Sequence, residues 1–163
     1  MTLRYVYEHP MEVCGFVAAM IPHAGGHSYG QDARAIGVID EVGLLIAGLV
    51  YTTYDDISQT IEMHGAALPG KQWLTRETIR RMYSYPFLQC GCQMLFQKTP
   101  ADNTRLLRQL AVYDYTFLKV PRMFGRDRDG VLCTLTVEDW MANRFNKRLR
   151  HHEVLDAPHE EAA

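Results

Sequence analysis

The stretch Ile57–Phe87, ISQTIEMHGAALPGKQWLTRETIRRMYSYPF, contains the change of period that decides the fold. Over Ile57–His64, residues Ile57, Gln59, Ile61 and Met63 alternate with Ser58, Thr60, Glu62 and His64, which predicts a strand continuing to Ala67. From Thr75 the spacing turns helical. Thr75 is suited to an N-cap, Glu77 falls in the first turn, and Ile79, Met82 and Tyr83 share an inner face. The regular helix is expected to reach Ser84 and to end at Pro86. Between the two elements lies Leu68-Pro69-Gly70-Lys71-Gln72-Trp73-Leu74. A strand that enters a helix through a short loop leaves unpaired N–H groups at the helix start, a setting that favours a phosphate.

Upstream, Pro10 at a first helical position opens a helix that runs to Ile21 and stops at Pro22, followed by a glycine-bearing loop over His23–Asp32. Met1–Val6 is too short to assign. Ala35–Ile39 and Leu44–Tyr54 read as strands about a turn at Asp40–Gly43, and Asp55-Asp56 turns the chain into the strand at Ile57. Together these form an antiparallel meander. Downstream, Cys90–Lys98 predicts a strand, and Asp102 or Asn103 caps a helix that carries Leu106, Leu107, Leu110 and Ala111. Tyr115–Val120 and Val131–Glu138 predict a hairpin around Arg126–Gly130. Thr136-Val137-Glu138-Asp139 starts a last helix whose end carries Lys147, Arg148 and Arg150. Residues 1–152 are expected to form one domain, with an acidic, frayed tail over Glu153–Ala163.

The chain has 163 residues, 47% hydrophobic and 22% charged, which suits a globular protein that needs no staples to fold. A net charge of −2 gives no electrostatic case for nucleic acid. No apolar run is long enough for a bilayer, and no leader segment precedes the first helix, so the expected compartment is the cytoplasm. Cys14, Cys90, Cys92 and Cys133 have no disulfide-framework spacing. Cys90 and Cys92 with His23 and His27 offer two ligand pairs that nothing in the sequence ties together, so small buried thiols in a strand are expected and no metal.

Helix, three-strand meander, helix, strand, helix, two strands is an order that resembles the GNAT superfamily of acyl-CoA-dependent N-acetyltransferases. AIGVIDEVGLLIAGLVYTTY is similar to that family's second and third strands. WLTRETIRRMYSYPF with QCGCQMLFQKTPADNTRLLRQL is similar to a subgroup found in bacteriophages and prophages, and Tyr115 falls where the family commonly has the Phe of a Gly-Phe pair. The likeness spans Ala35 to Asp139. It implies an α+β (α/β) fold with a mixed, mostly antiparallel central sheet flanked by helices, its fourth and fifth strands splayed. It also implies acetyl-CoA as co-substrate. The pantetheine arm would lie on Met63, His64 and Gly65, and the pyrophosphate on Gly70, Lys71, Trp73, Leu74 and Thr75, with Asn103 contacting the same ligand.

The residues also depart from the family pattern. Its phosphate loop holds two small residues where this chain has only Gly70; Pro69 lacks an N–H, and Trp73 is bulky where close backbone approach is wanted. Lys71 or Arg76 offers a compensating point charge, or else lies on solvated surface. Leu110 stands where many relatives have a catalytic Tyr, which leaves Tyr113 as a candidate acid or a core residue. Glu62 and His64 share one strand face and are the candidate bases; a solvent-facing strand side has the same pattern. Asp114 replaces a common glycine and is expected to distort its turn. HAGGH reads as a loop; the arginines of RMFGRDRDG read as a hairpin tip or as contacts for an acidic partner, and the basic NKRLRHH as a helix end or as a contact for phosphates.

Two functions fit these expectations. The first is a phage- or prophage-encoded N-acyltransferase in which an unidentified amine attacks acetyl-CoA directly, as a monomer or a homo-oligomer, away from nucleic acid and membrane. The second is a GNAT-like fold without catalysis, acting as a structural or adaptor component beside phage structural proteins in a virion.

Overall fold

The computed structural model describes residues 2–21 and 29–146. His23 and His27, the HAGGH loop, Lys147, Arg148, Arg150 and the tail all lie outside the described residues. The strands are β1 (Arg4–Val6), β2 (Arg34–Ile39), β3 (Leu45–Asp55), β4 (Thr60–Ala67), β5 (Met94–Pro100), β6 (Thr116–Val120) and β7 (Gly130–Thr136). The helices are α1 (Pro10–Met20), α2 (Arg76–Ser84), α3 (Thr104–Ala111) and α4 (Val137–Ala142). One seven-stranded sheet runs in the order β1-β2-β3-β4-β5-β7-β6. Every neighbouring pair is antiparallel except β4 and β5, which are parallel. This is the mixed α/β architecture of the GNAT fold.

The meander over β2, β3 and β4 forms as its sequence predicts. Its first turn is closed by Asp40, whose Oδ1 accepts the N–H groups of Val42 and Leu44 at 3.2 and 3.0 Å. Gly37 and Gly48 sit under α1: a Cβ on Gly48 would meet Val13 and Val17 at 2.7 Å, so these glycines let the helix rest on the sheet. The opposite face carries the main core, in which Tyr51, Met82, Tyr83, Leu95, Leu135 and Trp140 pack between the sheet, α2 and α4.

Several boundaries differ from expectation. β4 starts at Thr60, not Ile57. Asp55 Oδ1 takes the N–H groups of Ile57 and Ser58, which closes a turn and leaves Ile57 92% exposed. The regular helix α2 ends at Ser84 as the sequence predicts, but the chain does not leave the helical path at Pro86: it continues through a π-helical turn over Tyr85–Gln89, and the Cys90 N–H closes on the Tyr85 carbonyl. Cys90 and Cys92 therefore precede β5 rather than lying in it. Ala111 of α3 is exposed, and Leu110 supplies the buried contact. Asp114 adopts the left-handed conformation, φ +63°, that a glycine would take. Its carboxylate accepts a hydrogen bond from the buried Asn143 amide, so the turn is kept, not distorted. The segment before α1, too short to assign from sequence, supplies the edge strand β1.

Candidate functional site

β4 and β5 pair only at Thr60–Met94, Ile61–Leu95 and Glu62–Phe96. Beyond Glu62 and Phe96 the strands diverge. From Met63 to Ala67, β4 keeps its ladder to β3, and from Gln97 to Pro100, β5 keeps its ladder to β7, while the edges that face each other are open. The result is a V whose apex lies at Glu62 and Phe96 and whose mouth lies at Ala67, where the chain enters the linker to α2. A cleft of about 750 Å³ fills the V, lined among others by Tyr29, Glu62, Met63, His64, Gly65, Gln97, Lys98 and Asn103. An open strand edge offers alternating N–H and C=O groups to an amide-bearing ligand, as strand addition does.

The cleft contains a charged cluster. Glu62 is 5% exposed; its Oε1 lies 3.0 Å from Lys98 Nζ and 4.0 Å from His64 Nε2. The lysine contact is an ion pair outside hydrogen-bond geometry, so Oε1 keeps acceptor capacity. The other carboxylate oxygen accepts from Thr53 Oγ1 at 3.4 Å. His64 Nε2 is 3.0 Å from Thr52 Oγ1, and the Tyr29 ring stacks obliquely on the imidazole at 4.7 Å. The Tyr29 hydroxyl is buried without a hydrogen-bond partner among the described residues. Burial, with Cys14 and Glu62 nearby, pushes this phenol up, so it stays protonated and able to donate.

A second hollow of about 540 Å³ lies against the linker and the start of α2, lined by Leu3, Lys71, Gln72, Trp73, Leu74, Thr75, Arg105 and Gln109. Arg105 lines both cavities and so marks where they approach each other. Thr75 Oγ1 accepts the Thr78 N–H at 3.1 Å, and Thr78 Oγ1 donates to the Trp73 carbonyl at 2.6 Å. This cap fixes the helix start while the N–H groups of Arg76 and Glu77 lie in the first turn, where no intrahelical partner exists.

The predicted residues fall into groups. Met63, His64, Gly65 and Asn103 meet in the cleft; Lys71, Trp73, Leu74 and Thr75 line the hollow. Gly70 lines neither. With φ +75° it closes a turn after Pro69, in which the Lys71 N–H returns to the Leu68 carbonyl at 3.4 Å. The Lys71 ammonium is held by Asp40 at 3.0 Å. The Asn103 amide caps α3 through Leu106 N–H at 3.3 Å and donates to Thr99 Oγ1 at 3.2 Å. Tyr113 is not brought to the cleft: it is 5% exposed and packs against Tyr83 and Phe145 at 5.9 and 5.3 Å.

Tyr29, Gln97, Lys98 and Arg105 were not legible as site residues. Tyr29 reads as loop, Gln97 and Lys98 as strand interior, and Arg105 as one of several helix-surface cations; only the meeting of β4 with β5 and α3 groups them. The four cysteines are free thiols. Burial pushes Cys92 and Cys133 up to about 11, which keeps them protonated and poor as nucleophiles or ligands. Among the described residues no cluster of three or more His, Cys, Asp or Glu is arranged to hold a metal, and no helix is long and apolar enough to cross a membrane.

No family profile matches the sequence, and no curated protein matches it. Solved structures do. Mutant forms of the spermidine/spermine N-acetyltransferase SpeG from Vibrio cholerae superpose with a TM-score of 0.67 at 14% identity, over 86% of this chain and 96% of that one. A dodecameric structure of spermidine N-acetyltransferase from the same organism, in an intermediate state, gives 0.66 at 13% identity, over 86% and 95%. A protein of Acinetobacter baylyi ADP1 named as a candidate acetyltransferase gives 0.64 at 14% identity, over 84% and 93%. The chain has the fold of GNAT N-acetyltransferases.

Proposed function

We propose that the protein is an acyl-CoA-dependent N-acyltransferase that takes acetyl-CoA as donor and a primary amine as acceptor. The observation that carries this reading is the V between β4 and β5, paired over three residues and then open, with Glu62, His64 and Tyr29 gathered at its closed end. The open edge from Met63 to Ala67 suits the two amides of a pantetheine arm. The phosphates are expected at the start of α2, held by first-turn N–H groups and by Arg105 rather than by a glycine loop.

In this reading Glu62 accepts the proton of the incoming ammonium, directly or through a water, so that the neutral amine attacks the thioester carbonyl carbon. Lys98 Nζ, 3.0 Å from Glu62 Oε1, places a positive charge beside the carboxylate. Tyr29 donates its proton to the departing thiolate as the carbon–sulfur bond breaks, the part the sequence offered to Tyr113. A basic acceptor such as a polyamine, the substrate class named for the Vibrio enzymes, fits a cleft whose apex carries a buried carboxylate. The cytoplasm is the proposed compartment, in keeping with free thiols. A homo-oligomer is part of the same reading, supported by Phe117 and Leu118, exposed at 40% and 60% on edge strand β6.

A second reading, a protein of this fold without catalysis, is favoured by the linker: Gly70 is spent on a turn and Lys71 on Asp40. A phage origin, and with it a place in a virion, rests on the likeness of the sequence segments alone. One measurement separates the two readings. Millimolar acetyl-CoA raises Tm if the native state binds it, and ligand in hundredfold excess over Kd adds about 2.7 kcal/mol. Acetyl transfer to a panel of polyamines then follows by mass spectrometry. A Tm that does not move, with no transfer, would overturn the enzymatic reading.

A further inference from the structure

The register of the strands places the charged residues of the cleft on one face of the sheet. Gly48, where a Cβ would meet Val13 and Val17 of α1, pairs with Ala66. Side chains two residues apart on a strand share a face, so Glu62 and His64 point to the α1 side. Glu62 pairs with Phe96, and Lys98 follows two residues later on the same side. Farther along, Pro100 pairs with Gly130, where a Cβ would meet Met123 and Phe124 within 2.8 Å, so the β6–β7 loop folds back over that side too. Met123 and Phe124 line the cleft together with Glu62, His64 and Lys98.

A buried carboxylate and a half-exposed ammonium thus stand side by side at the apex: Glu62 Oε1 is 3.0 Å from Lys98 Nζ, the one polar contact of Lys98 among the described residues. Among the described residues of the cleft lining, Glu62 is the one acid, against Lys98, Arg105 and Arg128. A polyamine would bring its further ammonium groups up against these cations, and like charges across a contact are costly. A zwitterion brings one charge for each member of the pair. The two charged groups of an α-amino acid branch from one carbon, so their separation is close to that between Glu62 and Lys98. We propose that the acceptor is an α-amino acid with an apolar side chain: its ammonium meets Glu62, its carboxylate meets Lys98, and its side chain lies against Met123 and Phe124. This rests on the acyl-CoA reading above and narrows its amine. The nitrogen–carbon bond forms as the carbon–sulfur bond breaks. Of the two protons that the nitrogen loses, one passes through Glu62 to solvent and the other restores the proton that Tyr29 gives to the thiolate.

The experiment measures acetyl transfer from acetyl-CoA by mass spectrometry for the wild type and Lys98→Gln; Lys98→Met stands in if the first variant folds poorly, and Tm of each is measured. The acceptors are leucine and phenylalanine, their decarboxylated counterparts isopentylamine and phenethylamine, and spermidine. The wild type is expected to favour each amino acid over its amine and over spermidine in kcat/KM. Lys98→Gln is expected to lower the amino-acid-to-amine ratio about tenfold or more, the size of one charge-assisted hydrogen bond. The loss should appear as a raised KM for the amino acid, with KM for the amine within about twofold. Comparing the ratio between the two proteins cancels the difference in basicity between the acceptors. An unchanged ratio would overturn this inference while leaving the acyl-CoA reading intact. So would a wild type that prefers spermidine or the simple amines, or one that binds acetyl-CoA and acetylates none of the five. A wild type whose Tm does not move with acetyl-CoA and that transfers to nothing would remove that reading and this inference together.

Discussion

Lys98 Nζ lies 3.0 Å from Glu62 Oε1 across the apex of the V, joining the last paired residue of β4 to a residue of β5 already past the divergence. The pair spans the point where the two strands separate. The lysine side chain is 44% exposed, so its ammonium lies partly in water beside a buried carboxylate.

Glu62→Gln is expected to lower the turnover of acetyl transfer by about 10²-fold or more, the usual weight of a general base. Acetyl-CoA binding should stay within about threefold, because the amide preserves volume and hydrogen bonding at a site the donor ligand does not need charged. Steady-state kinetics with calorimetric titration checks both; an unchanged kcat would remove Glu62 from the proton path.

Tyr29→Phe and Tyr113→Phe should behave oppositely. The first removes a protonated phenol from the cleft and is expected to reduce kcat by about 10²-fold. The second removes a hydroxyl from a ring packed in the core and should leave kcat unchanged. Tyr113→Ala, in contrast, is expected to destabilise by about 3–5 kcal/mol, the range for emptying a buried aromatic site. Denaturant unfolding and kinetics on the three variants give the comparison.

Arg105→Ala is expected to raise the Kd for acetyl-CoA about tenfold, the loss of one charge-assisted contact. Acetyl-pantetheine, which lacks the nucleotide phosphates, should bind both proteins alike. Equal losses for the two ligands would place Arg105 on the arm instead of the phosphates.

Asp40 gives a pH prediction. The hydrogen bond from Lys71, then those from the Leu44 and Val42 N–H groups, hold its carboxyl below the usual 3.8. Its own turn and the lysine cover it, so it is 3% exposed without being deep. A folded-state pKa below the unfolded one means that the unfolded chain binds more protons, so the contribution is full above about pH 4 and is lost as pH falls through the lowered value. Asp40→Asn should therefore lower Tm at pH 7, and the gap to wild type should shrink toward pH 3 in thermal melts.

Thr75→Ala removes the side-chain acceptor for the Thr78 N–H. It is expected to cost about 1 kcal/mol and about 2–4 °C in Tm. Thr75→Ser should recover most of the loss, which a scan of Tm across the three proteins would reveal.

Much of the fold is legible in local patterns, and particular residues show where local patterns stop. Asn103 and Thr75 are readable as caps because capping depends on neighbours within one turn. Ile57 misleads: its place in an alternating run predicts a core contact, but Asp55 two residues back closes a turn on its N–H, and a side-chain acceptor at that distance outweighs the period. Pro86 marks the end of the regular helix at Ser84 but hides the π-helical turn after it, because such a turn asks less of the i−4 hydrogen bond that proline removes. Within the site, Met63, His64 and Gly65 follow from the position of β4 in the order of elements. Tyr29, Gln97, Lys98 and Arg105 belong to three other segments, the loop before β2, β5 and α3, and carry no local mark of their meeting.

The sequence by itself determined the order and type of the elements from α1 onward apart from the π-helical turn, the meander, the two caps and the shortage of glycine in the linker, since these depend on period and on residues close in the chain. Only the tertiary structure decided that β4 and β5 run parallel, pair over three residues and part at Glu62 and Phe96. It likewise decided that Gly70 closes a turn, that Lys71 goes to Asp40 and that Tyr113 goes to the core. The reason is physical: strand pairing and ion pairing are contacts between segments distant in the chain, and their partners are fixed by packing across the sheet rather than by the spacing of residues along it.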